Sequence, residues 1–234
     1  MGPGGREHLT GAALAALAAA DVVVGYKPYL EMVADLVAGK RIVVSGMRQE
    51  TTRAEAAVVE ATAGARVAVV STGDAGVYGM AGLVLELLPE GSPVTVEVVP
   101  GVTAASAAAA CLGAPLMNDF AVVSLSDLLT PLEVIERRLT AVADGDFVIA
   151  LYNPRSMKRH EPLRRALAIL RERRASGTPV GLVRNALRDG QKTRITTLAE
   201  LVEEDVDMMT ILVVGNSATL VRDGRMVTPR GYRT

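Results

Sequence analysis

Short β-branched runs recur along the chain at residues 22–24, 41–44, 66–70, 94–99, 120–124, 147–151, 180–184 and 210–214, and each predicts a strand. Helical patterns fill the intervals. Leu30, Val33 and Leu36 share one face of a helix following Pro28, while Val58 and Val59 sit in a helix closed by Gly64. This alternation implies crossover connections and a mainly parallel sheet, hence an α/β fold. The runs 66–70 and 94–99 are nearly continuous in apolar residues, as strands covered by helices on both faces should be. In such sheets ligands sit beyond the carboxyl ends of the strands, and those ends carry STGDAGVYG and PGVTAAS.

The segment GAPLMNDF around Pro115 interrupts the pattern after a small-residue helix and divides the chain into domains 1–114 and 115–234. From about Gly215 the chain predicts a hairpin turning at Arg222-Asp223-Gly224, between 219–221 and 225–227, that finishes the second sheet.

Composition narrows the function classes. Aromatic residues make up 3% and Trp is absent while half the residues are apolar, so Ala, Val and Leu must build the core. With 25 basic and 26 acidic residues, the chain lacks the field expected of a nucleic-acid binder or a membrane-surface protein. A charged ligand must be met locally. The single cysteine, Cys111, lies in ASAAAACLGA and reads as packing rather than as a catalytic thiol. No CxxC or Cys/His cluster has zinc-ligand spacing, so no metal is expected, and a reducing cytoplasm fits best. The stretch LTGAALAALAAAD lacks a basic n-region and runs into Asp21, unlike a signal peptide or membrane span.

Five segments could carry chemistry. In MGPGGREHLT, glycines precede a helix with Thr10 as a capping signal; taken alone, the segment reads as a flexible terminus. In the segment 71–79, three glycines, Asp74 and Tyr78 follow a strand and could hold a ligand, or Asp74 could cap a helix at an ordinary turn. Thr103, in the segment 99–106, could cap the next helix or meet a ligand at its free N–H groups. Ser124, Ser126, Asp127 and Thr130 precede a helix opened by Pro131. Capping explains one of these polar residues and leaves Asp127 as a substrate contact or a solvated loop acid. The loop of Tyr152, Asn153, Arg155, Lys158, Arg159 and His160 gathers four cationic or potentially cationic side chains. It suits an acidic small molecule, with a solvated basic loop as the alternative and His160 read as exposed rather than catalytic. There is neither a P-loop nor a GxGxxG after a strand.

Taken in order, GPG, ADVVVGYKPY, SGMRQETTRA, STGDAGVYGMAG, PGVTAASAAAACLGAPL, DFAVVSLSDLLTP, LYNPRSMKR, VRNALRDGQKTRITTL and TILVVGNS resemble the tetrapyrrole methylase family, within it the branch that methylates C17 and contracts the ring. The likeness spans almost the whole chain, and SLSDLLTP with LYNPRS carries most of the specificity. It implies two α/β domains, the first mainly parallel and the second with a mixed sheet, with S-adenosylmethionine bound in a cleft between them and S-adenosylhomocysteine as product.

Carried over by motif, Gly73, Asp74, Val77, Tyr78, Thr103 and Ala104 would line the cofactor, joined by Tyr152, Asn185 and Thr210. Ser126 and Asp127 are the catalytic candidates, with Asn153, Arg155, Lys158 and Arg159 for the substrate's carboxylates. The resemblance also implies a cytoplasmic homodimer with a small-molecule tetrapyrrole substrate, involving neither nucleic acid nor membrane.

The chain departs from the family pattern in places. The family runs a strand into its first glycine motif, whereas Gly2-Pro3-Gly4 follows Met1 directly, so that strand is expected to be missing. Gly5 stands where Asp is common, and Asn118 and Leu132 stand where His and Trp are expected; an amide at 118 cannot titrate as imidazole does. Two other readings follow: a corrin-ring methylase of different position specificity, or a tetrapyrrole-binding subunit without turnover.

Overall fold

The structure is a computed structural model, described for residues 1–232. It comprises two compact units, Met1–Ala104 and Ala105–Thr234, which divide at the first residue of the small-residue helix.

In the first unit the Thr10 hydroxyl accepts a hydrogen bond from Ala13 N at 3.1 Å and starts helix α1 (Gly11–Ala19). Strand β1 (Val22–Tyr26) follows, with Val23 and Val24 fully buried. The helix expected over Leu30, Val33 and Leu36 is only the short α2 (Lys27–Glu31). Beyond it, turns such as Val33 N to Leu30 O and Leu36 N to Val33 O carry Leu30, Val33 and Val37 into the core. Apolar spacing there marks a buried face without a continuous helix.

Strand β2 (Arg41–Ser45), helix α3 (Glu50–Thr62), strand β3 (Val67–Val70) and helix α4 (Ala81–Leu87) complete the unit. α3 ends as expected, with Gly64 at φ 94° and Ala65 N donating to Glu60 O at 3.1 Å. The sheet is parallel in the order β2-β1-β3.

The expected strand at 94–99 belongs to no ladder. Among the described residues β3 pairs only with β1. A β-branched run becomes a strand only where a neighbour takes its N–H and C=O groups. Val96 still packs with Val69 and Leu83 around the buried Ala54, Met80 and Val84, while Val98 is exposed.

The second unit is built on a five-stranded mixed sheet whose outer strands are Phe120–Ser124 and Lys192–Thr197. Helix α5 (Ala104–Leu112) and the two-residue strand β4 (Gly113–Ala114) lead to β5 (Phe120–Ser124), helix α6 (Leu132–Asp144), β6 (Val148–Tyr152) and helix α7 (Glu161–Arg173). Then come β7 (Pro179–Arg184), β8 (Lys192–Thr197) and β9 (Thr210–Val214). Ile135, Leu139 and Ala143 on α6 and Leu163, Leu167 and Leu170 on α7 turn one face each into the core formed with Ile149, Leu151 and Leu212. Truncating a fully buried member such as Leu139 to Ala should cost about 2–5 kcal/mol.

Strand β8 was not expected, because KTRITT is polar; it is an edge strand whose first three residues are exposed. The terminal hairpin forms as expected, β10 (Leu220–Arg222) and β11 (Arg225–Val227) joined through Asp223 and Gly224, both at positive φ. It does not finish the large sheet. β11 pairs instead with β4, making a separate sheet in the order β10-β11-β4.

Candidate functional site

In the first unit the parallel register aligns Tyr26 with Ser45 and Gly25 with Val70, so the carboxyl ends of β1, β2 and β3 share one edge. The segment 71–79 leaves β3 at that edge. Asp74 does not cap a helix there. Its carboxylate accepts hydrogen bonds from Gly76 N and Gly101 N, each at 2.8 Å, and so fastens one strand-end loop to the next.

Gly73 adopts φ 67°, and a side chain at Gly101 would collide with the Gly73 carbonyl. A β-carbon at Gly73 would lie 3.8 Å from Thr103 Cα and 3.9 Å from Ala104 N. The structure therefore brings Gly73, Asp74, Thr103 and Ala104 together, all half-buried. Val77 lies in the following turn, and Tyr78 there has φ 53° and an exposed ring. Gly2 bridges to Gly73 in both directions, at 2.9 and 2.8 Å, and the Met1 ammonium donates to Ser71 O at 2.9 Å. Burial lowers the pKa of that ammonium, against the attraction of Asp74.

The second unit has a corresponding edge. Ser124 pairs with Tyr152 across the parallel β5 and β6, and Arg184 at the end of β7 pairs with Thr210 at the start of the antiparallel β9. Since Leu151 pairs with Leu212, Ser124–Asp127, Tyr152–Arg159, Asn185 and Thr210 all come to one side of this sheet.

The Asn153 amide donates to Ser124 Oγ at 3.0 Å, and the Ser126 N–H donates to the same oxygen at 3.2 Å. Asn153 is held at φ 51°, a strained conformation of the kind that gathers at functional sites. The Tyr152 hydroxyl accepts from Ala105 N at 2.7 Å and so serves the first turn of α5.

The basic loop is largely committed. Arg159 donates to Leu125 O at 2.6 Å and Asn153 O at 2.8 Å, with its Nε 3.6 Å from Asp127. Arg155 donates to Glu203 O at 2.8 Å and to His160 Nδ1 at 2.8 Å. Both arginines brace the loop. Lys158 is exposed and has neither hydrogen bond nor ion pair among the described residues. His160 is exposed as expected, and Asn118 makes a local bond, accepting from Asp119 N at 2.9 Å.

Thr210 is buried, and its hydroxyl donates to Asp207 at 2.8 Å. Arg184 donates to the other Asp207 oxygen at 2.8 Å, and Asn185, at φ 50°, donates its N–H to Met209 O. Burial pushes the Asp207 carboxyl up, but the hydrogen bonds from Arg184, Thr210 and Met209 N outweigh it and hold it below the usual carboxylate range. Asp207 was missed in the sequence because EEDVDMMT shows only an acidic run. Cys111 stays half-buried, with its thiol 3.4 Å from Gln191 Oε1.

Among the described residues no group of three or more His, Cys, Asp or Glu side chains could hold a metal ion, and no helix is long and apolar enough to cross a membrane.

Comparison with known proteins places this geometry. The family model described as Tetrapyrrole (Corrin/Porphyrin) Methylases matches residues 1–202. The chain is 49% identical to the "Probable cobalt-factor III C(17)-methyltransferase" of Salmonella typhimurium, over 99% of this chain and 97% of that protein. It is similar to the crystal structure of the methyltransferase CobJ, with a TM-score of 0.92 and 40% identity over 97% of this chain and 96% of that one. It is also similar to the uroporphyrin-III C-methyl transferase of Thermus thermophilus complexed with S-adenyl homocysteine, at TM-score 0.67 and 25% identity, covering 92% of this chain and 94% of that one. The family match and the near full-length relatives agree: the chain belongs to the tetrapyrrole (corrin/porphyrin) methylases and is a methyltransferase of that family.

Proposed function

We propose that this chain methylates C17 of cobalt-factor III, or of its cobalt-free counterpart precorrin-3B, and contracts the ring in cobalamin biosynthesis. The observation that carries the reading is 49% identity, over nearly the whole of both chains, to a relative named for that reaction. S-adenosylmethionine supplies the electrophilic methyl group.

The first unit's residues fit such a ligand. Gly73 and Gly101 leave main chain without side chains in front of it, and Asp74 spends both carboxylate oxygens holding that main chain in place. Gly73, Asp74, Val77, Tyr78, Thr103 and Ala104 are assigned to the cofactor on this ground. Tyr152, Asn185 and Thr210 stand at the edge of the second unit's sheet and are assigned to the cofactor by resemblance alone.

Methyl transfer needs no protein nucleophile; alignment and exclusion of water are the protein's tasks. Ring contraction also moves protons. Asp127, half-exposed at its carboxylate beside Arg159, and Ser126 are the groups assigned to that work. Asn153 and Lys158 meet the substrate directly, while Arg155 and Arg159 shape the loop that presents them. A cytoplasmic homodimer is the proposed setting, to be read by light scattering on the purified chain.

The test is incubation of the chain with S-adenosylmethionine and each macrocycle, with products read by mass spectrometry and NMR. A new methyl at C17 with a contracted ring is expected. Methylation elsewhere would place the chain on another corrin-ring methylase; tetrapyrrole binding without turnover would make it a binding subunit.

A further inference from the structure

Arg53, on α3, is 5% exposed and makes no ion pair among the described residues. Its Nε donates to Ser45 Oγ at 2.6 Å, Nη2 to Gly46 O at 3.0 Å and Nη1 to the Met80 sulfur at 3.4 Å. The guanidinium carbon lies 5.8 Å from the centroid of the Tyr26 ring. A guanidinium carries five N–H donors; three are directed here, none to a charged acceptor and one only to a thioether.

A buried cation is ordinarily paired with an acid. The acids nearest in sequence, Glu55 and Glu50, are exposed and make no ion pair among the described residues. The Tyr26 ring offsets some of the charge.

Position supplies the second half of the argument. Tyr26 and Ser45 end β1 and β2 in paired register, and Met80 is tied to the end of β3 through its N–H and Ser71 Oγ at 3.2 Å. Arg53 therefore spans the carboxyl ends of all three parallel strands, where α/β sheets receive ligands. Lys27 follows Tyr26 directly, and Arg48 comes two residues after Gly46; both are exposed, and Arg48 is held at φ 62°. An arginine in left-handed backbone is a strained residue that the surrounding turn must hold in place. Met47, between Gly46 and Arg48, is 72% exposed.

We propose that this edge, centred on Arg53 with Lys27 and Arg48, is a binding site for a carboxylate of the acidic tetrapyrrole. It rests on the proposed function for the identity of the ligand and adds a subsite in the first unit, apart from the 153–159 loop. Several cations with an exposed apolar Met47 suit a macrocycle bearing many carboxylates better than the single carboxylate of the cofactor.

The experiment titrates the full chain with uroporphyrin III, an octacarboxylate, by fluorescence, and with S-adenosylhomocysteine by calorimetry. Arg53→Met is expected to weaken porphyrin binding at least tenfold, about 1.4 kcal/mol. Lys27→Ala and Arg48→Ala, on exposed positions that leave folding intact, should each weaken it several-fold, and added salt should weaken the wild type. S-adenosylhomocysteine affinity should stay within twofold throughout. Porphyrin affinity unchanged in Lys27→Ala and Arg48→Ala overturns the proposal, as does a loss confined to S-adenosylhomocysteine. A wild-type chain that binds no porphyrin overturns the tetrapyrrole reading itself, a result distinct from the other two.

Discussion

The carboxylate of Asp74 accepts the Gly101 N–H at 2.8 Å, and this bond joins two loops that lie 27 residues apart in the chain. Its other oxygen takes the Gly76 N–H, so neither oxygen can be exchanged for an amide nitrogen without losing an acceptor. Asp74→Asn should cost about 1–3 kcal/mol of stability and weaken S-adenosylhomocysteine binding about tenfold or more. Thermal melts and calorimetry check this, and unchanged affinity would separate Asp74 from the cofactor.

A side chain at Gly101 has no room, since it meets the Gly73 carbonyl, whereas Gly82 on α4 has nothing within 4 Å of an added β-carbon. Gly101→Ala should destabilise by about 1–3 kcal/mol. Gly82→Ala should be neutral or stabilise by up to about 1 kcal/mol. A pair of denaturation curves decides.

Arg159 forks onto Leu125 O and Asn153 O, which a single ammonium cannot reproduce. Arg159→Ala should lower stability by about 1–3 kcal/mol, and Arg159→Lys should recover less than half of the loss. Full recovery by lysine would show that charge, rather than the fork, matters.

Asp127→Ala should reduce turnover by about 100-fold or more while leaving S-adenosylhomocysteine affinity unchanged. The measurement is product formation by mass and NMR. Complete ring contraction by this variant would remove Asp127 from the catalytic candidates.

Asp207 titrates below its usual carboxylate value, so its pairing with Arg184 and Thr210 contributes stability that is present above the unfolded value, 3.8, and is lost as pH falls through the folded one. Its side chain is 47% exposed, so solvent screening limits the contribution to about 1 kcal/mol. Asp207→Asn should be less stable than wild type by that amount near neutrality, with the gap closing below about pH 4. A gap that stayed constant down to about pH 2 would contradict the assignment.

Much of the fold was legible because strands such as Val22–Tyr26 and Val148–Tyr152 are buried over all or nearly all of their length and must be apolar there. The glycine turn at 71–79, which follows Val67–Val70, was legible for a related reason: glycine lets the chain leave a strand at positive φ, as Gly73 does. Where a neighbour decides, the pattern misled. The run at 94–99 has strand composition and no ladder, while polar Lys192–Thr197 is a strand because β7 pairs with it.

By itself, then, the sequence determined the α/β class, the positions of most strands, the glycine turn after β3 and, through its ordered motifs, the family. Only the tertiary structure decided what the charged side chains do. Arg155 and Arg159 turned out to be engaged by chain carbonyls, Asp74 by a distant N–H, and Arg53 to be buried with no ion pair among the described residues. Burial of an apolar face leaves a local periodicity, whereas the partner of a guanidinium or carboxylate is set by which distant backbone folding brings within hydrogen-bond reach.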